Sequence, residues 1–319
     1  MKALLLCVVV FSVMVPFTIG CTRSQTPDFS IHVYTRSDAC GASETWAKYL
    51  DNKKQEDLKG TAVFGDPGLS QAVIQDTLGI GYNNIGYAYD TTTGQQVAGL
   101  TVIPIDINEN GLIDSNENFY EKKSDIVQAI AEGRYPSPPA RDLHLVTKEK
   151  FTGITKGFVR WILTDGQKYV DEMGYIKLPE EKIEQQLTKL GQAEPGIEME
   201  GVITISGAFA LYPMMTKWGE EFQNIYPDIK FDISAGGAGK GMADALNGMV
   251  DIGMISRDIN PAEIEKGAFW VSVTKDAVVA VTNSKNPFLN DILAKGLKKQ
   301  TFIDIWITGN TTDWRSAIQ

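Results

Sequence analysis

Two distant stretches of this chain each predict a β-strand, a glycine-bearing loop and a helix in succession. The first covers residues 31–46 and the second covers residues 229–242. A loop that enters a helix offers free backbone N–H groups and the positive end of the helix dipole, which together favour a small anion. Two such loops facing each other would hold an oxyanion between them. The sequence therefore points to a protein that binds small anions.

Apolar strand-like runs alternate with helical patterns along the chain, which is typical of α/β units around a largely parallel sheet. Strands are predicted at residues 202–206, 229–233 and 251–256, separated by helices at 209–226 and 241–249. Further helices are predicted at residues 43–50, 69–76, 123–132, 155–172 and 180–190. The length of 319 residues suits two domains of ordinary size.

The N-terminus predicts an export signal with a lipoprotein-like cleavage site. Lys2 precedes an apolar run over residues 3–17, and the small Gly20 precedes Cys21. This run is too short for a stable membrane span. We expect residues 1–21 to form the signal segment and Cys21 to be the site of lipid attachment. An ordinary secretory signal is the alternative.

The acidic composition limits the classes of partner. A net charge of −10 argues against nucleic acid. An anion must then be captured by local dipoles and a few cations, against the overall field. The two histidines, His32 and His144, form no ligand-spaced cluster, so a histidine-based zinc site has no support. Beyond the signal run only Cys21 and Cys40 remain, and they cannot pair if Cys21 carries lipid.

Residues 106–117 match the twelve-residue calcium loop of EF-hands, with Gly111 at the sharp turn. A strand, predicted at 100–105, precedes this loop instead of a helix, and no second loop pairs with it. We therefore expect a structural Ca²⁺ site and not a sensor; a solvated loop without metal is the alternative. The predicted ligands are Asp106, Asn108, Asn110, the carbonyl of Leu112, Asp114 and Glu117.

The glycine loop at residues 234–241 superficially resembles a nucleotide P-loop. Its spacing fails, because Ser234 stands where the first glycine should be and Gly241 where Ser or Thr should bind magnesium. Nucleotide hydrolysis is therefore disfavoured. Close approach of the backbone to an anion explains these glycines better, and a tight strand–helix turn without ligand is the alternative.

Arg36, Asp38 and Cys40 are the chemically distinctive residues of the first loop. An arginine can clamp an oxyanion with two parallel donors, and an aspartate can fix its fork; a surface ion pair is the alternative. A cysteine beside a helix N-terminus is expected to have a lowered pKa, so a nucleophilic thiol must be considered. No histidine lies near it in the sequence to act as its base.

Taken together, these segments resemble the phosphate-binding proteins of ABC importers. Residues 203–218, the glycine loop and residues 250–257 are similar to the opening third of that family, and residues 35–46 to its anion loop. Residues 158–169 resemble its closing helix. The resemblance implies an α/β, two-domain, type II periplasmic-binding-protein fold with mixed sheets, a hinge and an interdomain cleft. It also implies a protein that is not an enzyme.

The order of these motifs differs from that of the family. The part that closes family members ends near Leu190 and here precedes the part that opens them, which begins near Gly201. We therefore expect a circular permutant, joined through residues 190–200, with new ends opened in a surface loop. A rearranged or misassembled reading frame is the alternative.

A permuted order would split one lobe. The expected division is residues 27–90 plus 281–319 for the second lobe, and residues 91–280, with the calcium loop, for the first. The hinges are expected near residues 87–103 and 277–283.

The resemblance transfers only part of the family's anion site. Arg36 and Asp38 match its arginine and partner aspartate, but Ser256 stands where some members carry the aspartate that accepts a proton of phosphate. Most family hydroxyls are replaced, which leaves mainly backbone N–H groups, with Lys240 and Arg257 as substitute charges. The implied anion site comprises Arg36, Asp38, Cys40, Gly41, Ala42, Ala208, Phe209, Ala210, Ala238, Gly239, Lys240, Ser256 and Arg257.

The leading interpretation is a lipid-anchored, calcium-stabilised monomer that captures phosphate outside the cytoplasm and delivers it to an ABC permease in the membrane. A tungstate, molybdate or sulfate importer is the nearest variant. A lipid-anchored anion sensor or a calcium-dependent surface module is an alternative from another class. An enzyme that uses Cys40 comes third.

Overall fold

The computed structural model describes residues 28–319, so the predicted signal segment and Cys21 lie outside the described residues. The strands are β1 His32–Arg36, β2 Thr61–Val63, β3 Gly79–Asn84, β4 Leu100–Val102, β5 Ile105–Asp106, β6 Ala140–Lys148, β7 Gly201–Gly207, β8 Ile229–Ala235, β9 Ile252–Ile255, β10 Ala268–Asn283 and β11 Leu297–Lys298. The α-helices are α1 Gly41–Tyr49, α2 Gly65–Gln75, α3 Ile85–Ala88, α4 Lys123–Ala131, α5 Gly153–Leu163, α6 Lys168–Glu172, α7 Glu180–Leu190, α8 Tyr212–Ile225, α9 Ala238–Leu246, α10 Pro261–Glu265, α11 Leu289–Lys295, α12 Lys299–Ile303 and α13 Trp314–Ala317.

One sheet runs through both halves of the described chain. Its strand order is β2-β1-β3-β10-β6-β9-β7-β8, and β4 also pairs with β10. The outer pairs β1–β2, β1–β3, β7–β8 and β7–β9 are parallel. At the centre, β10 is antiparallel to β3, β4 and β6, and β6 is antiparallel to β9. The sheet is therefore mixed and not largely parallel, because the two strands that join the halves run in opposite directions.

Two hydrophobic cores define two lobes. One core collects residues between Ile31 and Ala140 and from Ala277 onwards, together with Ile176. The other collects buried residues between Leu143 and Val273. The chain thus crosses from lobe to lobe within β6 and β10, where a β-bulge between Ser272 and Thr274 shifts the register of the pair. We refer to the lobe containing β1 as lobe A and to the lobe containing β7 as lobe B.

This division differs from the predicted lobe boundaries. Residues 91–140, which include the calcium loop, pack with lobe A, since β4 pairs with β10 and β5 pairs with β11. The crossings lie at residues 140–143 and 273–277, whereas hinges were expected near 87–103 and 277–283. Alternation of strands and helices reveals the units of a fold, but a lobe boundary inside a continuous buried strand has no local signal.

Most predicted elements overlap an observed one, but some ends are shifted and some elements are interrupted. The helix predicted at 241–249 lies at Ala238–Leu246, and the helix predicted at 69–76 already begins at Gly65. Helix α7 has the predicted bounds. The long helix expected at 155–172 is broken between α5 and α6 by a single 3₁₀ turn, Asp165–Gln167. The strand expected at 100–105 is divided into β4 and β5. No helix of the described residues is both long and apolar enough to span a bilayer.

Helix α1 is fixed to lobe A by an aromatic cluster. The Trp46 ring is fully buried and lies 5.9 Å from the Tyr82 ring, 5.3 Å from Phe302 and 5.5 Å from Trp306, measured between centroids. Aromatic pairs at such separations add to the stabilisation from burial alone. The N-terminus of α1 is therefore held rigidly at the end of β1.

The two ends of the described chain lie against each other in lobe A. The N–H of Ile31 donates to the carbonyl of Thr312 at 2.8 Å, and the N–H of Trp314 donates to the carbonyl of Phe29 at 3.0 Å. The segment between Leu190 and Gly201 is an exposed connection on lobe B. This geometry accommodates the permuted order, which stays a prediction.

A re-permuted chain tests that order. We expect a variant in which residues 319 and 28 are joined by a short Gly/Ser linker, with new ends between Pro195 and Gly196, to fold with a melting temperature within about 5 °C of the parent, because exposed loops tolerate cuts. Circular dichroism melts measure this. A control opened between Val279 and Ala280, inside buried β10, should not fold; similar behaviour of the two variants would contradict the expectation.

Candidate functional site

The predicted anion loops of the two lobes meet directly. Gly41, at the start of α1, touches Ser256, which follows β9 of lobe B. The N–H of Gly239 in α9 donates to the carbonyl of Ala39 at 3.0 Å. Gly237 has a φ of +92°, and a Cβ placed there would lie 2.8 Å from the Ala39 carbonyl oxygen. Only glycine permits this conformation and this approach, so these loops are built for contact between backbones.

Arg36 is the central cation of this junction, and its side chain is completely buried. Its Nε donates to Oδ1 of Asp38 at 2.8 Å and its Nη2 to Oδ2 of Asp38 at 2.6 Å, which is the predicted fork. Its Nη1 donates to Oδ2 of Asp66 at 2.6 Å. Burial by itself lowers the pKa of Arg36, but Asp66, Cys40 and Asp38 overcome this and raise the pKa above its ordinary value. The guanidinium therefore stays charged, between two carboxylates.

Asp66 is a site residue that the sequence reasoning missed. It lies in the first turn of α2 and is fully buried. Its Oδ1 accepts hydrogen bonds from the N–H and the side-chain amide of Asn84, at 3.0 and 2.8 Å. Its place follows from the parallel pairing of β1 and β2, which brings the residues after them to one edge of the sheet, and no local sequence pattern reveals that pairing.

Several backbone N–H groups at this junction donate to no acceptor within residues 28–319. They belong to the first turns of α1, of the 3₁₀ turn Phe209–Leu211 before α8, and of α9. Free N–H groups at helix starts, with the positive end of the helix dipole, attract an anion. These donors are the N–H groups of Gly41, Ala42, Phe209, Ala210 and Ala238.

Two predicted cations do not point into the junction. Lys240 pairs with Asp244 one turn further along α9. Arg257 is bound by both carboxylate oxygens of Glu263, at 2.9 and 2.6 Å. Neither supplies free charge to an anion between the loops. Phe209 instead lies against the guanidinium, with the Arg36 Cζ 5.4 Å from its ring centroid, and the neighbouring Ala208 is buried.

Cys40 caps α1 and is not an activated thiol. It is buried, its Sγ accepts from the N–H of Ser43 at 3.5 Å, and the Ser43 Oγ lies 3.1 Å from the sulfur. Burial raises its pKa to about 11, although Arg36 works in the opposite direction. The expectation of a lowered pKa was wrong, because loss of hydration outweighs the helix N-terminus here.

The predicted calcium loop adopts a turn that gathers its polar groups. Asp106 and Glu117 are 1% and 5% exposed. The Asp106 carboxylate accepts from the N–H groups of Asn110 and Gly111, and Oε1 of Glu117 accepts from those of Ile107 and Asn108. Asp114 accepts from both asparagine amides. Within the described chain, however, no three His, Cys, Asp or Glu side chains stand close enough together to hold a metal ion.

A charged cavity of about 880 Å³ opens between the lobes beside α1. Lys48 and Glu44 of α1 line it from lobe A, and Arg257 and Asp258 from lobe B. Lys48 Nζ lies 2.7 Å from Oδ2 of Asp258, and Arg257 Nε lies 3.2 Å from Oε2 of Glu44. These contacts bridge the lobes at this cavity, and the sequence did not reveal them.

Comparisons with known proteins identify the family. The family model described as the PBP superfamily domain matches residues 23–166 and 183–318. The chain therefore belongs to the PBP superfamily. This membership places it among substrate-binding proteins and not enzymes, as the sequence predicted.

Individual relatives agree with this result. The chain is 27% identical over 303 residues to "Phosphate-binding protein PstS 2" of Streptococcus agalactiae, covering 92% of this chain and 91% of the relative. It is 31% identical over 116 residues to "Phosphate-binding protein PstS" of Bacillus subtilis, covering 36% and 37%. A crystal structure of the phosphate-binding protein of a phosphate ABC transporter from Streptococcus pneumoniae superposes with a TM-score of 0.56 at 20% identity, covering 90% of this chain and 99% of that chain. The predicted family resemblance and the two-lobe α/β fold class are confirmed.

The Cys40 environment predicts slow chemistry. At pH 8 we expect iodoacetamide to alkylate Cys40 in the folded protein at least about a hundredfold more slowly than in urea, because the thiol is buried and stays protonated below a pKa of about 11. Peptide mass spectrometry follows this position separately from other cysteines. Rapid alkylation of the folded protein would restore the nucleophile hypothesis.

Proposed function

We propose that this member of the PBP superfamily captures a small inorganic oxyanion, phosphate foremost, at the junction of its lobes. The observation that carries the proposal is that the N-terminal turns of α1, of the 3₁₀ turn before α8 and of α9, which carry free N–H groups, meet beside the buried Arg36. The relatives named as phosphate-binding proteins support the choice of phosphate.

The site attracts an anion mainly through dipoles. Arg36 is already neutralised by Asp38 and Asp66, and the three hydrogen bonds that it donates to them leave two of its five N–H groups for an anion. The N–H groups of Gly41 and Ala42 and those of lobe B then supply neutral donors, which compensate a desolvated anion through hydrogen bonds to its charge. Ser256, beside Gly41, is the available hydroxyl on lobe B. Because these donors are neutral N–H groups and a hydroxyl, the relative affinities for phosphate and sulfate are a quantity to measure.

Anion entry requires the lobes to separate. In the structure the Gly239 N–H is bonded to the Ala39 carbonyl, so the loops close on each other. We propose that bending at residues 140–143 and 273–277 opens the cleft, as in hinge closure around ligands. A monomer that opens in this way would deliver its anion to an ABC permease outside the cytoplasm. Lipid on Cys21 would hold the protein at the membrane. We also propose that the chain is a circular permutant of the family.

A structural Ca²⁺ ion at residues 106–117 is a second element of the proposal. The donor set is all oxygen, which Ca²⁺ prefers. The loop also links two parts of lobe A, because the N–H of Ile113 donates to the Ala294 carbonyl at 2.9 Å and β5 pairs with β11. Asp106, Asp114 and Glu117 are not gathered closely enough for an ion in the structure, so calcium would have to draw these carboxylates together, and it would then neutralise their charges and stiffen this connection.

The anion site is tested at Ala238, the first residue of α9. Ala238→Pro removes one N–H that has no acceptor in the described chain, and proline suits the first position of a helix. We expect phosphate affinity to fall about tenfold, because a hydrogen bond to a charged group is lost. Ala238→Ser adds a hydroxyl at the same place and should bind at least as tightly as the parent. Isothermal titration with phosphate, sulfate, molybdate and tungstate measures this.

Two outcomes would count against this site. If both Ala238 variants bound phosphate as tightly as the parent, the anion would have to bind at another site. Absence of heat with all four anions, from protein that unfolds cooperatively, would favour the sensor or surface-module alternatives.

The calcium proposal is tested at Glu117. Glu117→Gln keeps an oxygen that accepts the Ile107 and Asn108 N–H groups but loses the bidentate carboxylate. We expect calcium to raise the melting temperature of the parent by about 3 °C or more, and of the variant by much less, while their values in chelator stay similar. Glu109→Gln, at a non-ligand position of the loop, is the matched control. A parent that ignores calcium would show that the loop serves packing alone.

A further inference from the structure

A continuous series of buried polar contacts joins β10 to the predicted anion loop. It begins at Asp276 in β10, passes through Arg141 in β6 and Asn84 at the end of β3, and reaches Asp66 and then Arg36. Every member is at most 9% exposed. A buried polar network of this length transmits electrostatic changes, because little water screens it.

Arg141 is the branching point of this series. Its Nε donates to Oδ1 of Asp276 at 3.0 Å, and its Nη2 donates to Oδ1 of Asn84. Its Nη1 donates to the carbonyl of Gly41 and, at 3.0 Å, to Oγ1 of Thr45. Arg141 therefore fixes the first turn of α1 through these two hydrogen bonds. That turn carries two of the free N–H groups described above.

Asp276 is incompletely paired. Its Oδ1 accepts from Arg141, whereas its Oδ2 is buried and has no partner within residues 28–319. An ionised carboxylate with an unpaired buried oxygen is costly, and protonation relieves that cost. The position lies where β10 crosses from lobe B to lobe A.

The groups around Asp276 come from several elements. Arg141 faces it from β6, Asp66 from α2 and Lys123 from α4, and Tyr175 lies nearby in the connection after α6. Lys123 donates to the Met173 carbonyl at 2.7 Å, and burial lowers its pKa to about 8. Burial raises the pKa of Asp276 to about 6, although Arg141 opposes the shift. Burial therefore favours the neutral forms of both Asp276 and Lys123.

We propose that Arg141 and Asp276 form a proton-linked positioning pair for the anion loop, so that anion binding at Gly41 and Ala42 is coupled to protonation of Asp276. This inference rests on the proposed anion-binding function. With Asp276 ionised, the charges of the three carboxylates Asp38, Asp66 and Asp276 balance those of Arg36, Arg141 and Lys123. Protonation of Asp276 leaves this set with a net positive charge and frees Arg141 to polarise the Gly41 peptide towards the anion.

The sign of the pH dependence follows from this linkage. Below pH 6 Asp276 is protonated and binding is at its tightest. As the pH rises through about 6, the carboxylate ionises and repels the incoming anion. By reciprocity, a bound anion raises the pKa of Asp276.

The test compares Asp276→Asn with the parent, using inorganic phosphate from pH 5 to pH 7, a range in which Lys123 keeps its proton. Asparagine mimics the neutral acid, so the variant should bind more tightly than the parent at pH 7 by about fivefold or more, and equally at pH 5. The ratio of the two affinities cancels the titration of phosphate itself. Sulfate, which does not titrate in this range, is the second probe.

Asp142→Asn is the matched control. Asp142 is the next residue of β6, is partly exposed, and pairs with Lys182 and Lys275 outside the series. Its affinity ratio to the parent should not change with pH. Melting temperatures at each pH establish that all proteins are folded.

The outcomes separate the inference from the proposed function. Binding of phosphate or sulfate with a pH-independent ratio between Asp276→Asn and the parent would overturn the inference alone. A purely structural role of Asp276 would lower the affinity of its variant equally at every pH, and this also would overturn it. No binding of either anion by any of the folded proteins would overturn the proposed function and the inference with it.

Discussion

The burial of Arg36 between Asp38 and Asp66 is the interaction on which the junction of the lobes depends. Each of these charges would be costly alone in the protein interior, and together they are tolerable only because their hydrogen bonds are mutually satisfied. Asp38 also accepts from the N–H of Gly65, so the ion cluster fixes the starts of α1 and α2 relative to each other. The helix N-termini that face lobe B inherit their positions from this cluster.

Lobe B contacts this rigid arrangement through backbone groups and not through charged side chains. Its glycine loop approaches Ala39 so closely that a Cβ at Gly237 would collide with it. Lys240 and Arg257 each form an ion pair with a neighbouring carboxylate of lobe B. The proposed recognition of an anion through peptide dipoles suits an acidic chain, because it needs no local excess of positive charge. It also makes selectivity depend on geometry, since N–H groups alone do not sense whether an anion carries a proton.

The sequence predicted what is locally encoded. Strand–loop–helix units, the bounds of α7 and the pairing of Arg36 with Asp38 all follow from short-range patterns, and the superfamily followed from several motifs together. The positions of Asp66, Arg141 and Asp276 depend on which strands become neighbours, and a mixed sheet has many possible orders. Burial reversed the expected pKa shift of Cys40 for a related reason. The depth of a residue depends on how the lobes pack, and its sequence neighbours do not report it.

Strand β10 is 16 residues long and contributes buried side chains to both cores. The strand pairs with β3 and β4 in lobe A, and its N-terminal part pairs with β6. If the sheet of either lobe unfolded, β10 would lose hydrogen-bonding partners, and β10 is also part of the core of the other lobe. The two lobes are coupled in folding as well as in ligand capture, and they should melt as a single cooperative unit in which neither half survives as a free-standing domain.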